Sequence, residues 1–445
     1  MSDESLGSKR TNVRYFILAA LFIVTVLNVT DRATLSVAAP AMRKAFKLDA
    51  LSMGFAFSAF GWSYTAMQVP GGWLVDRFGS RIVYGLCLFL WSTFTLLQGF
   101  AGVFSATLAF LFALRLLMGA AEAPAFPANS RLTAMWFPNQ ERGFAAAVFN
   151  SAQYVTVAIF VPIMAWGVAR YGWPSMFVIT GAVGILISFA WFRIIRDPKS
   201  HPRVNQAELD YIQSGGGLAN LGEKRSEVKW SYVRALVTNR LMIGVYLAQF
   251  CINAITWFFL TWFPTYLIEA KKMSILKVGF AASIPGIMGF CGGLLGGYWS
   301  DWLLRRGKTL TVARKTPIIL GLVFSSVIIL ANYVSSEVVV IFVLAVAFFC
   351  KGLGSLGWSV VGDTSPKEIV GLSGGIFNMM GNLSGIVTPL VIGYILKTTG
   401  SFNGALLYVG AHGLIGALSY LLIVGEIKRV ELKVIEVPAA RVTKP

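Results

Sequence analysis

The sequence predicts an all-α integral membrane protein of twelve transmembrane helices in two six-helix pseudo-repeats. Three observations predict it. The chain is 56% hydrophobic and 13% charged, with mean hydropathy +0.68, where a soluble chain carries about 25% charged residues. Helices let a chain in lipid satisfy its backbone groups within one segment. Twelve apolar windows of span length occur, six on each side of a polar stretch. Two motifs also recur at nearly one offset between the two sets, as a duplicated unit would leave them.

In chain order, the windows fall near 15–37, 51–75, 82–101, 105–126, 143–166 and 174–195, then 241–268, 277–299, 316–334, 338–361, 370–396 and 403–425. The expected organisation is a cytoplasmic N-terminus (1–14), an N-terminal six-helix bundle (15–195), a cytoplasmic linker loop (196–240), a C-terminal six-helix bundle (241–425) and a cytoplasmic tail (426–445). The linker reads as solvated, with one short amphipathic helix at most. Lys9, Arg10 and Arg14 before Tyr15–Thr30, with SVAAP beyond, mimic a secretory signal. An uncleaved first span is preferred, because Asp31–Arg32 is out of place in a signal and cleavage would leave an odd number of spans.

Most of the 38 Lys and Arg residues fall in loops on the side of the N-terminus. The positive-inside rule then puts both termini in the cytoplasm. The same rule accounts for the net charge of +18 without nucleic acid as a partner. Cys87, Cys251, Cys291 and Cys350 lie unpaired in apolar runs, and His201 and His412 cannot make a metal site by themselves. No nucleophile–base set is visible, and Gly215–Gly217 lacks the strand–helix frame of a phosphate loop. No cofactor, metal or enzymatic activity is expected.

Gly71-Gly72-Trp73-Leu74-Val75-Asp76 recurs as Gly296-Gly297-Tyr298-Trp299-Ser300-Asp301, and Gly143…Phe149-Asn150 as Gly371…Phe377-Asn378. The paired glycines let helices approach closely. Asp76, Arg77, Arg81 and Asp301 are therefore read as a latch that pairs with neighbouring helix ends and holds one face of a transporter closed, rather than as an ordinary basic loop. Parallel repeats with a site at their interface are an established transporter design.

Five ionisable residues lie inside apolar windows: Asp31, Arg32, Arg115, Glu122 and Lys351. Each costs roughly 2.5–3.5 kcal/mol at a span centre and marks a functional site by default. The competing reading, ion pairs that only fix helix packing, is weaker because buried pairs stabilise poorly relative to apolar packing. Arg115 and Glu122 are seven residues apart, on one face and roughly 10 Å apart along the axis. Pro124 and Pro127 predict a bend just beyond. Asp31 and Glu122 are the candidate proton carriers, expected to pair with Arg32 and Arg115. Lys351 lies about 20 Å along its span at 1.5 Å per residue, too deep for easy snorkelling. With Arg115 it is expected to hold the two ends of a diacid. Tyr64, Gln68, Asn150, Gln153, Gln249, Asn253, Trp358, Asn378 and Asn382 are candidate lining for a hydroxyl-rich substrate; taken singly, each is more often a helix–helix hydrogen bond. Trp257, Phe258 and Phe259 read as packing or an interfacial anchor rather than a gate.

FSAFGWSYTAMQVPGGWLVDRFGSR, LRLLMGAAEAPAFPANSR, FFLTWFPTYL and SGGIFNMMGNLSGIVTPL resemble the anion:cation symporter family of the major facilitator superfamily, over nearly the whole chain. SILKVGF, GKTLTVARKTP and FFCKGLGSLGWSVVGDTSPKEI are most similar to its bacterial glucarate/galactarate (hexarate) transporters, with D-galactonate transporters next. The resemblance implies a proton-coupled symporter of sugar diacids, in a bacterial inner membrane and functional as a monomer, whose working charges map onto Asp31, Arg32, Arg115 and Glu122. It also implies that galactonate relatives lack the lysine at 351. Its partners would be a small organic anion, protons and the bilayer. A sugar monoacid such as D-galactonate, or another small organic anion, is the alternative substrate.

Overall fold

In a computed structural model, the described residues are 10–104, 106–138, 140–217, 230–366 and 370–430. Among them there is no strand. The first half comprises α1 (Val13–Phe46), α2 (Ala50–Ala66), α3 (Gln68–Phe78), α4 (Ser80–Gln98), α5 (Thr107–Glu122), α6 (Ala125–Trp136), α7 (Arg142–Val155), α8 (Val161–Tyr171) and α9 (Trp173–Ile194). Two helices, α10 (Gln206–Ser214) and α11 (Trp230–Thr238), lie between the halves. The second half comprises α12 (Arg240–Thr261), α13 (Phe263–Glu269), α14 (Ile275–Arg305), α15 (Leu310–Ser325), α16 (Glu337–Leu353), α17 (Gly357–Thr364), α18 (Val370–Asn382), α19 (Ser384–Thr399) and α20 (Asn403–Leu418). Among the described residues, eleven stretches are long and apolar enough to cross a membrane. The twelfth span is α2 with α3, divided by a turn at Met67.

Local chemistry explains where the spans start and break. Asp49, Asn239, Ser274 and Thr309 cap α2, α12, α14 and α15 by accepting first-turn backbone N–H groups. The fourth span breaks between α5 and α6 at Ala123–Pro124, immediately after Glu122. The tenth breaks at Gly354, three residues after Lys351. Each half thus interrupts its fourth span beside a charged residue.

The linker holds two helices where the sequence reading allowed one. Asn205 caps α10, and the fully buried Glu208 accepts from Thr11 Oγ1 (2.6 Å), from the backbone N–H groups of Val13 and Arg14, and from Arg14 Nη1. The segment is a clamp on the start of α1. Polar composition hid this, because the partners lie nearly two hundred residues away. Glu141 joins through Arg14 and the Tyr211 hydroxyl. Burial pushes its carboxyl up, but the hydrogen bonds from Tyr211 and Arg14 outweigh that and hold it below its ordinary value.

The apolar clusters show which face is closed. At the face opposite the termini, one cluster draws on both halves: Ala38, Met42, Met53 and Phe57 pack with Phe258, Trp262, Tyr266 and Ile392. Among the described residues two ion pairs cross the halves there, Arg43, whose Nη1 donates to both Glu269 carboxylate oxygens (2.6 and 2.7 Å), and Lys397 to Asp49 (2.9 Å). Toward the other face each half packs mainly with itself, around Tyr84 and Trp136 in the first and Val360 and Phe377 in the second. There Trp73 and Trp358 are 47% and 56% exposed. The molecule is sealed at one end and parted at the other.

The seal depends on close backbone approach. A Cβ on Gly54 would lie 2.7 Å from the Pro389 carbonyl oxygen. Overpacking of this kind costs roughly 1–3 kcal/mol, borne only by the sealed arrangement. Gly54→Val is therefore expected to shift the equilibrium toward opening about tenfold. Faster labelling of a cysteine placed at Ala50 by a membrane-impermeant maleimide would report it; an unchanged labelling rate would contradict it.

Candidate functional site

The central charges come from the first and fourth spans. Glu122 is the last residue of α5, where the helix dipole disfavours an anion. It is fully buried, and Arg32 Nε donates to its Oε2 at 2.6 Å. The Arg32 guanidinium also lies over the rings of Phe60 (4.6 Å) and Tyr64 (4.7 Å). Arg115 sits against the same Phe60 at 5.3 Å, only 2% exposed, with Nη1 3.5 Å from Met118 Sδ. Among the described residues no carboxylate comes within ion-pair distance of Arg115, and none of the cations comes within that distance of Asp31. Trp91 and Thr180 flank the Asp31 carboxylate, neither at full hydrogen-bonding geometry.

This corrects the expected pairing. Consecutive residues on a helix point about 100° apart, so the two meet different neighbours: Trp91 and Thr180 flank Asp31, while Arg32 meets Glu122, Phe60 and Tyr64. Glu122 is two turns from Arg115 on one helix and reaches across to Arg32 instead. Arg32, whose side chain is 11% exposed, is the more accessible guanidinium. Arg115 stands behind Phe60.

In the second half, Lys351 lies in the last turn of α16, a position the helix dipole favours for a cation. Its Nζ is 5.0 Å from the Phe348 ring centre. No carboxylate pairs with it among the described residues. Of the five charged residues that the sequence places deep in spans, the first half contributes Asp31, Arg32, Arg115 and Glu122 and the second Lys351.

The polar candidates divide into groups. Asn378 Nδ2 donates to Gln68 Oε1 at 2.9 Å, a hydrogen bond across the halves. Asn382 Nδ2 donates to Asn378 Oδ1 at 3.2 Å, and Gln249 Nε2 to Asn253 Oδ1 at 3.3 Å. Tyr64 is buried, stacked on Phe60 at 5.1 Å. Trp358 meets Phe377 edge-on at 5.0 Å. Asn150 and Gln153 are exposed on α7, and amides at that depth belong on a watery cavity rather than on lipid. Trp257 and Phe258 are buried in the packing.

The four latch residues make their contacts within one half each. Arg131 pairs with Asp76 at 3.0 Å, and Arg81 Nη2 donates to the Phe192 carbonyl at 2.7 Å. Arg77 lies over Trp73 and Phe78. Arg314 bridges Asp301 (3.6 Å) and Asp363 (2.8 Å). None of these contacts ties the halves together, in keeping with the parted face.

The sequence reading passed over Phe60, which both guanidiniums share, and Asn28, Trp91 and Thr180 around the buried acids. The one available signal was the i, i+4 spacing of Phe60 and Tyr64, which puts both rings on one face. It also missed the two ion pairs of the seal. The backbone N–H of Ser52, and then the side chains of Lys397 and Ser52, hold the Asp49 carboxyl down at about 2. A depressed carboxyl contributes above its unfolded value of about 3.9 and loses that contribution as pH falls through its folded value. The Asp49 carboxylate therefore stays ionised from pH 5 to 8. Asp49→Asn is expected to leave the shape of the uptake–pH profile unchanged over that window; a shifted midpoint would refute the assignment.

Residues 21–314 match the family model described as Major Facilitator Superfamily. The chain is 56% identical over 433 residues to the "probable galactarate/D-glucarate transporter GudP" of Escherichia coli K12, covering 96% of each. It is 54% identical to the protein of the same name from Bacillus subtilis 168, covering 96% of this chain and 95% of that one. A "D-galactonate transporter" of Escherichia coli O6:H1 is 43% identical, with 94% and 97% covered. Among solved structures, an inward-facing, unoccupied bacterial homolog of the human lysosomal transporter Spinster superposes with TM-score 0.70 at 17% identity, covering 94% of this chain and 96% of that one. A D-xylose–proton symporter does so at 0.69 and 16%, covering 94% and 99%. These two speak for the fold alone.

Proposed function

The chain belongs to the major facilitator superfamily, a family of membrane transporters, and on that premise we propose that it imports sugar diacids such as D-glucarate and galactarate by proton symport. The observation that carries the reading is the Arg32–Glu122 pair, buried at mid-membrane on the first half, with Lys351, which has no carboxylate partner among the described residues, on the second. A six-carbon diacid offers one carboxylate to each cation. The names of the relatives at 50–56% identity support the same class.

The proposed cycle follows from the geometry. While ionised, Glu122 occupies Arg32. A proton on Glu122 removes the charge and frees guanidinium donors for a substrate carboxylate, which they can grip in bidentate fashion. Asp31, buried with no cation in ion-pair distance among the described residues, is the second candidate carrier. Arg115, behind Phe60, supports the positive field instead of touching substrate first. Tyr64, Asn150, Gln153, Gln249, Trp358 and Asn378 line the sugar chain. Loading then lets the halves rock about the site. With both termini cytoplasmic, as the basic loops favour, the parted face is the inner one. The protein would work as a monomer in a bacterial inner membrane.

The test is uptake of labelled D-glucarate into proteoliposomes, with and without an imposed inward proton gradient. Accumulation that needs the gradient, competed by galactarate and poorly by D-galactonate, is the expected result. Active vesicles that take up D-galactonate and not D-glucarate would favour the monoacid reading and remove the role of Lys351.

A further inference from the structure

The sealed mouth contains a polar cavity, separate from the central charges, of about 380 Å³. That is within the range of small-molecule pockets. Both halves line it: Arg43 and Ala50 from the first, Tyr266, Glu269, Lys271, Asn332 and Asn403 among others from the second. Three of the lining side chains carry buried polar atoms without a hydrogen-bond partner among the described residues: Arg43 Nε, the Tyr266 hydroxyl and Asn332 Oδ1. Tyr266 is only 2% exposed. Leaving a buried polar group unpaired costs roughly 1–3 kcal/mol. All three belong to side chains of the cavity wall and are closed to water as they stand, so a ligand in the cavity would reach them through small side-chain rotations and relieve that cost.

The chemistry of the lining selects the ligand. Arg43 and Lys271 bring two positive charges and Glu269 one negative, which Arg43 neutralises through Nη1, the donor to both carboxylate oxygens. Lys271 Nζ donates to the carbonyls of Ala331 (3.1 Å) and Val334 (2.8 Å), and an ammonium has a third donor to give. Free donors and one surplus positive charge fit a carboxylate. Asn332 fixes its own orientation by donating through Nδ2 to the Asn403 carbonyl, so its oxygen is left to accept from a hydroxyl. We propose that this cavity is a second ligand site, at the sealed mouth, for a small hydroxylated carboxylate. Because both halves form it, occupancy favours the sealed arrangement over the opened one. The site rests on its own lining and does not require the central substrate to be a hexarate.

The test is calorimetric titration of the protein in nanodiscs with D-glucarate and, separately, D-galactonate. Arg32→Ala removes the central contact, and one saturable site is expected to remain. In that background Tyr266→Phe keeps the ring packing and loses one hydrogen bond to an anion, so affinity should fall about tenfold. Thermal stability without ligand should hold or rise, because a buried orphan hydroxyl has gone. Asn332→Asp adds a negative charge to the cavity wall, cancels the surplus positive charge and should weaken binding of a carboxylate at least as much. With Arg32 intact, Asn332→Asp should lower the stoichiometry from two sites to one, which covers the case of an unstable Arg32→Ala protein. No residual site for either acid, or residual binding indifferent to both substitutions, overturns the proposal. If vesicles transport neither acid while Tyr266-dependent binding persists, the transport reading fails and the outer site stands.

Discussion

Glu122→Gln is expected to abolish proton-driven accumulation while sparing exchange of substrate across the membrane. The substitution keeps the shape of a side chain that is fully buried and 2.6 Å from Arg32, and it removes the site where a proton could bind. With one proton per substrate, one pH unit drives a tenfold concentration ratio, about 1.4 kcal/mol. In the variant that ratio should collapse to about one. Counterflow should continue, since Arg32 no longer has an internal anion competing with substrate carboxylate. Undiminished accumulation in Glu122→Gln vesicles would move the proton site elsewhere, with Asp31 the next to examine.

Lys351→Ala carries the second large effect, and it is selective. The lysine has no internal carboxylate partner among the described residues, so its removal strands no buried anion in the resting protein. A charge-assisted contact to a carboxylate contributes about 1.5–3 kcal/mol. The Lys351→Ala KM for a diacid should therefore rise about tenfold to a hundredfold. A monoacid held at Arg32 alone should change far less. Parallel uptake of D-glucarate and D-galactonate decides this, and equal losses for both would end the idea of two cations gripping two ends.

Much of this protein was legible before any coordinates. The twelve spans, the duplicated halves and the break after Glu122 follow from apolar length, motif recurrence and proline placement, all of which act over a few turns of chain. The rank of the charges did not follow. Sequence neighbours such as Asp31 and Arg32 look like a pair on paper, yet the helix turns them about 100° apart. The linker's role was hidden for a related reason: α10 is held by Glu208, which accepts from the first residues of a helix that starts at residue 13.

Composition and periodicity by themselves determined that the chain lives in a membrane, how many times it crosses and which residues are too costly to be accidental. Those are properties of single helices against lipid, and each helix carries its own signal. Only the tertiary structure decided which acid meets which cation, which face is sealed and that an orphaned polar cavity lies in the seal. Those depend on the rotation and approach of helices from different halves, which close backbone contacts such as Gly54 on Pro389 set across more than three hundred residues of chain.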